Sequence, residues 1–263
     1  MNEEITWRDI FFSGNPPRFL KTKFNRETDF LPFNPVDKDW KLSDLVDTSR
    51  PIENHCIQVF WLRSNRHRRY IGKVFPDFTR EQVIEQLHRL GVKFVEIPRS
   101  IDDAVHQYDR FLREARAYSH IDKFCPGRER LYFPRFYGVV TNMERSRFSS
   151  GYAHPRAVVL EAVKPHLGSR RVLGEVDSSL PESFLKTIRN LQLSQFEHEW
   201  YSSLLRDRLR RLNALHKLGV THGDVKDHHF RLPGDIYDTV LYDFSESYTF
   251  SDQRPFRVNS GKP

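Results

Sequence analysis

The apolar positions of this chain change period several times, and each change marks an element. Residues 56–62 (CIQVFWL) and 69–75 (RYIGKVF) are rich in β-branched and aromatic side chains and flank Asn65-Arg66-His67, which predicts a hairpin. From Thr79 the period lengthens. Val83, Ile84, Leu87 and Leu90 share one helical face, Thr79 and Gln82 have capping-box spacing, and Gly91 suits the left-handed residue past a helix end. Residues 92–97 read as a short strand that Pro98 ends. A second helix is expected over about 102–120, with Phe111, Ala115 and Tyr118 on one side. Residues 132–140 (YFPRFYGVV) and 157–163 (AVVLEAV) predict two strands joined through a polar hairpin tip. Residues 164–180 read as loop and 181–193 as a helix. A long helix is expected from 195 to 218, where Trp200, Leu204, Leu205, Leu209, Leu212 and Leu215 recur at three- and four-residue spacing until Gly219. A polar loop and strand-like 239–242 follow. The first fifty residues hold Phe, Pro, Asp and Lys without a clean period and read as an irregular arm or edge strands.

Composition narrows the class. The 263 residues show no internal repeat and suit one large domain or two small lobes. The apolar fraction is only 38%, but 21 Phe, 10 Tyr and 4 Trp supply core anchors, which sets the chain apart from disordered sequences. Cys56 and Cys125 are too few for a disulfide scaffold or a Cys-rich zinc module and read as reduced, buried thiols of an intracellular protein. No apolar run approaches the roughly 18 residues of a transmembrane helix, so no membrane partner is expected. Met1-Asn2-Glu3-Glu4 leads into no apolar segment, so no secretory signal is expected, and a cytoplasmic or nuclear location follows by elimination. The net charge of +7 gathers at 63–69, 169–171 and 206–211. Such clusters serve a nucleic-acid patch or, more simply, solvated faces and a phosphorylated ligand. No nucleic-acid-binding motif accompanies them, so nucleic acid is not an expected partner.

Chemistry concentrates late in the chain. Leu215-His216-Lys217-Leu218-Gly219-Val220-Thr221-His222-Gly223-Asp224-Val225-Lys226 is followed, nineteen residues after Asp224, by Asp243 in Val240-Leu241-Tyr242-Asp243-Phe244-Ser245. This pair of segments resembles the protein-kinase-like superfamily, in its H-G-D variant of the catalytic loop and its strand–Asp-Phe-Gly element. Tyr70-Ile71-Gly72-Lys73 is similar to the end of that family's third strand, and Phe111–Tyr118 to its C-helix, with Glu114 as the partner of Lys73. Residues 157–163 then correspond to the hinge strand, with Leu160 as gatekeeper and Glu161 to Val163 as hinge. The resemblance runs from about Cys56 to Phe250.

It implies an α+β, two-lobed kinase-like fold. Residues 1–50 would form an irregular arm, 51–163 an N-lobe of sheet plus C-helix, and 164–263 a truncated, mostly helical C-lobe. It also implies ATP and Mg²⁺, with Mn²⁺ as a substitute, and a protein or small-molecule hydroxyl as acceptor. Phosphoryl transfer asks little covalent work of a protein: a cation on the phosphates, a metal site and an oriented carboxylate suffice. Lys73 would hold the α/β-phosphates, oriented by Glu114. Asp243 would bind metal together with His229, Asp224 would take the acceptor proton, and Lys226 would neutralise the transferring group. Glu161 and Val163 would line the nucleotide site.

Three departures keep a second reading open, a catalytically impaired pseudokinase that binds or scaffolds. No glycine lies between Gly14 and Gly72, so Thr48–His55 stands where the glycine-rich loop would be. His229 occupies the position of the second metal-binding Asn, five after Asp224, and an imidazole prefers softer ions than Mg²⁺. Ser245 replaces the glycine after Phe244, and only twenty residues follow Asp243. A third reading, a metal hydrolase built on His222, Asp224, Asp227, His228 and His229, leaves Lys73 and Glu114 unexplained.

Overall fold

The computed structural model describes residues 11–12, 29–35, 38–48, 51–64, 69–89, 101–163, 182–232 and 238–251. The fold mixes α and β. Five strands form one antiparallel sheet: β1 (Trp40–Leu45), β2 (Gln58–Ser64), β3 (Arg69–Phe75), β4 (Phe136–Val140) and β5 (Arg156–Glu161), in the order β1-β2-β3-β5-β4. The expected hairpin is β2–β3, and β4–β5 is the second expected pair. The edge is completed by β1, whose pairing with β2 shifts register between Leu42 and Leu45, within the segment whose sequence shows no clean period.

Side-chain alternation along β3 and β5 divides the core. Tyr70, Val74, Ala157 and Val159 face one way, into a cluster with Trp40, Leu42, Phe60 and Leu62. Phe75, Val158 and Leu160 face the other way, against the helices. Helix α1 (Arg80–Arg89) opens with the expected capping box: the Thr79 N–H donates to Gln82 Oε1 (2.8 Å) and the Gln82 N–H to Thr79 Oγ1 (3.4 Å). Its Val83 and Leu87 pack on Ala104 and Tyr108 of α2 (Ile101–Tyr108), a satellite cluster apart from the main core. Gly91 and the strand expected over 92–97 lie outside the described residues, as do the turn at 65–67 and the loop at 164–180.

The helix expected over 102–120 is two helices, α2 and α3 (Arg110–Phe124). Asp109 breaks the run. Its backbone is extended (φ −60°, ψ 115°), and its carboxylate caps α3 by accepting from the Phe111 N–H at 2.9 Å. The second carboxylate oxygen takes the buried Arg156 guanidinium of β5 at 2.5 Å, so the break also ties α3 to the sheet. Phe111, Ala115, Tyr118 and Ile121 are buried at helical spacing, each large side chain contributing about 1.5–3 kcal/mol. Glu114 lies on that same apolar face. Cys56 and Cys125, expected to be buried, are both only half-buried.

Helices α4 (Glu182–Asn190) and α5 (Gln195–Lys217) follow as expected. Ser194 and Glu197 cap α5 reciprocally, and strand β6 (Val220–Thr221) begins just after it, paired with β7 (Tyr248–Thr249). Two arginines of the 206–211 cluster are neither solvated nor free for a partner. Arg208 grips Asp238 through two bonds (2.6 and 3.0 Å), and the fully buried Arg211 binds Asp207 and donates to the Thr239 carbonyl. They moor 238–242 to α5. That segment does not form the expected strand. Its amides go to non-strand carbonyls instead: Thr239 to Phe230 (2.8 Å), Leu241 to Tyr132 (2.8 Å) and Tyr242 to His229 (3.1 Å).

Candidate functional site

Three charged side chains from distant elements meet at one point. Lys73 leaves β3 toward the helices, and its Nζ donates to Glu114 Oε2 at 2.5 Å and to Asp243 Oδ1 at 2.7 Å. Glu114 is fully buried, and its Oε1 has no hydrogen-bond partner. Two carboxylates therefore share one ammonium in an apolar surround. Burial works against the charge on Lys73, but Asp243 and Glu114 outweigh it and hold the amine up at about 12. Burial also pushes Glu114 up to about 7, the Lys73 attraction only partly compensating. Asp243 is less enclosed. Burial opposes its charge, yet the Lys73 ammonium and the Ser245 hydroxyl hold it well below the usual carboxylate range. Of the two acids, Asp243 thus holds its charge the more firmly and Glu114 takes up a proton the more readily.

The backbone of Asp243 is left-handed (φ 66°), a conformation that Asp tolerates better than most residues. Ser245 stabilises it, its hydroxyl donating to Asp243 Oδ1 at 2.8 Å. Next in sequence, Glu246 accepts from Arg110 Nε (2.7 Å) and Arg113 (2.9 Å), fastening the segment after Asp243 to the first turns of α3.

The loop after α5 closes against this segment. Gly223 has φ 80°, and a Cβ there would stand 1.9 Å from the Glu246 carbonyl oxygen, so only glycine fits. His222 donates from Nε2 to the Tyr242 carbonyl (2.9 Å), and burial lowers its pKa to about 4, so it is a neutral strut. His229 donates from Nδ1 to the Asp224 carbonyl (2.7 Å). That bond fixes the tautomer and leaves the Nε2 lone pair 3.7 Å from Asp243 Oδ2. Burial keeps the ring neutral by lowering its pKa, although Asp243 pulls the other way. A neutral imidazole nitrogen and a carboxylate oxygen at this separation form an N/O donor pair for a divalent ion. The pair suits Mn²⁺ better than Mg²⁺. Asp224 and Lys226 pair with each other at 2.7 Å on the more exposed side of the loop.

A cleft of about 320 Å³ opens at Lys73, Glu114 and Asp243. Val46, Val59, Ile71, Leu160, Val163 and Leu232 give it apolar walls, with Tyr242 and Trp61 as aromatic surfaces. The chamber is thus apolar along its walls and charged at one end, where Glu114 and Asp243 share the Lys73 ammonium. Glu161 and Val163 line it as expected, with one refinement. The Glu161 carboxylate accepts from the Arg135 N–H (3.2 Å), and the Val163 N–H donates to the Glu161 carbonyl at 3.0 Å. Asp224 and Lys226 do not contribute to these walls.

Of the eight expected residues, Lys73, Glu114, Asp243, Glu161 and Val163 line the cleft, and His229 touches it through Asp243. Asp224 joins the group through the His229 bond to its carbonyl, and Lys226 through Asp224. Glu246 and Arg113 were not legible as site residues, because their roles are contacts made across the fold. No family model and no curated protein matches this chain. Among the described residues no helix is long and apolar enough to cross a membrane.

Proposed function

We propose that this protein is a kinase-like phosphotransferase moving the γ-phosphoryl group of ATP to a hydroxyl acceptor, on a two-lobed kinase-like fold with a shortened helical C-lobe. One observation carries the reading: a single ammonium, Lys73, is shared by Glu114 and Asp243 at the charged end of an apolar cleft. An ion pair kept for structure alone gains little from a buried lysine with two acids. A lysine poised to exchange a carboxylate for phosphate oxygens explains the cost.

In this reading Lys73 binds the α/β-phosphates and Glu114 aims it. Asp243 and His229 would hold a divalent ion, which would supply positive charge against the phosphates. The acceptor oxygen bonds to the γ-phosphorus as the bond to the β–γ bridging oxygen breaks, and the acceptor proton passes to the Asp224 carboxylate. ADP carries away the bridging oxygen. Lys226, 2.7 Å from Asp224 Oδ2, lies where it can follow the transferred charge.

The second reading is a nucleotide-binding module without turnover. The absence of glycine between residues 14 and 72 and the ion pair that occupies Asp224 favour it. Thermal shift with ATP and either Mg²⁺ or Mn²⁺, followed by radiolabelled transfer, separates the two. Ligand at about 100 times its Kd adds about 2.7 kcal/mol of apparent stability. We expect a larger shift with Mn²⁺. Asp224→Asn is expected to keep that shift and lose transfer by at least about 10²-fold. Binding without transfer in the wild-type chain selects the second reading, and no shift with either ion removes both.

A further inference from the structure

The connection between β1 and β2 carries a second constellation, unrelated to the cleft chemistry. Glu53, His55 and Cys56 place a carboxylate oxygen, an imidazole nitrogen and a thiol sulfur within 4.8 Å of one another. Cys56 Sγ lies 3.1 Å from Glu53 Oε2, and His55 Nε2 lies 3.4 Å from the same oxygen. Bonds of about 2.0–2.3 Å in a tetrahedral shell put neighbouring donor atoms about 3.5 Å apart, so the three atoms stand close to ligand spacing with no ion between them.

The turn that presents them is braced. The Cys56 N–H donates to the Glu53 carbonyl at 3.1 Å, closing residues 53–56. Tyr152 donates its hydroxyl to the Cys56 carbonyl at 2.7 Å, and His154 Nε2 bonds the Asn54 carbonyl at 2.5 Å. Two residues from the β4–β5 connection thus hold both carbonyls, leaving the side chains of 53, 55 and 56 directed by the backbone. These bonds fix the backbone of the turn that carries the three side chains. His55 and Cys56 also border a polar cleft of about 540 Å³ beside Asp77 and Arg110, so the sulfur is reachable by solvent.

We propose that Glu53, His55 and Cys56 form a three-ligand site for a borderline divalent ion of the Zn²⁺ class, with water in the fourth position. Mixed S/N/O donors select Zn²⁺ or Co²⁺ over Mg²⁺ or Ca²⁺. Binding turns the Cys56 thiol into a thiolate, its proton passing to solvent, and replaces the thiol bond to Glu53. The ion then staples the start of β2, the strand whose Val59 forms a wall of the nucleotide cleft. The site stands or falls independently of the phosphotransferase reading.

Co²⁺ titration of the metal-stripped full chain tests it. The expected result is a near-ultraviolet thiolate-to-cobalt charge-transfer band that saturates at one equivalent and is displaced by Zn²⁺. Cys56→Ala abolishes the band and Cys125→Ala keeps it. His55→Ala, at an exposed position, and Glu53→Ala each weaken binding at least tenfold while leaving the metal-free melting temperature unchanged. No thiolate band in the wild-type chain overturns the proposal. So does a band that survives Cys56→Ala, or one indifferent to His55→Ala.

Discussion

Glu114 has no surface, no partner on one oxygen and only half a claim on one ammonium. Its proton affinity is therefore higher folded than unfolded, about 7 against an ordinary 4.5. The sign follows. Its contribution to stability is full below about pH 4.5 and is lost as pH rises through about 7, with a slope of at most about 1.4 kcal/mol per pH unit. Asp243 works the other way: its contribution is present above the ordinary aspartate pKa and is lost toward acid. Glu114→Gln is expected to flatten the stability profile between pH 5 and 7 while leaving the acid limb intact, measured by urea denaturation across pH. An unchanged slope would mean that another group titrates there. Lys73 and Glu114 were legible only through the resemblance carried by residues 215–226 and 240–245, since a strand lysine and a helix glutamate state no role by themselves; the apolar run before Asp243 added support for that residue. Ser245 was legible only as a missing glycine. Its bond to Asp243 comes from how the chain bends at a left-handed residue, which no local pattern states.

At the level of elements, the important surprise is the break at Asp109. A lone aspartate between two helical runs gives no periodic signal, because Asp is tolerated inside helices as well as at their starts. What decides is Arg156, forty-seven positions away, which needs a buried anion. Asp109→Ala removes the α3 cap and the closer of two carboxylates on the buried Arg156 guanidinium, which keeps Asp77 and the Pro76 carbonyl. The expected cost is at least the roughly 1 kcal/mol of a lost cap, read from denaturant midpoints, and Asp109→Asn should recover the cap but not the ion pair. Gly223, in the loop after α5, is the second element-scale test. Gly223→Ala forces a Cβ into the Glu246 carbonyl and should loosen the loop from α3. The expected result is a fall in melting temperature together with loss of the nucleotide-dependent shift. A stable variant with full nucleotide response would show that the loop and the Glu246 segment need not touch.

Across the whole molecule, Lys73 is a cross-link between segments 41 and 170 residues away. Lys73→Met leaves Glu114 buried without any cation, at a cost of about 3–5 kcal/mol that protonation of the acid can lessen. The double substitution Lys73→Met with Glu114→Gln is therefore expected to be more stable than Lys73→Met alone, a non-additivity that a melting series detects. Additive losses would mean that the two residues do not share one environment. The bond between the Val163 amide and the Glu161 carbonyl has its own consequence. If the cleft takes a base, as proposed, the base edge would compete with that link for the Val163 N–H, while the Glu161 carbonyl keeps a second lone pair for a donor. Ring area pressed against Val59, Leu160 and Leu232 would then supply most of the affinity, and adenine and guanine nucleotides should differ less in their melting shifts than an open Val163 N–H would make them.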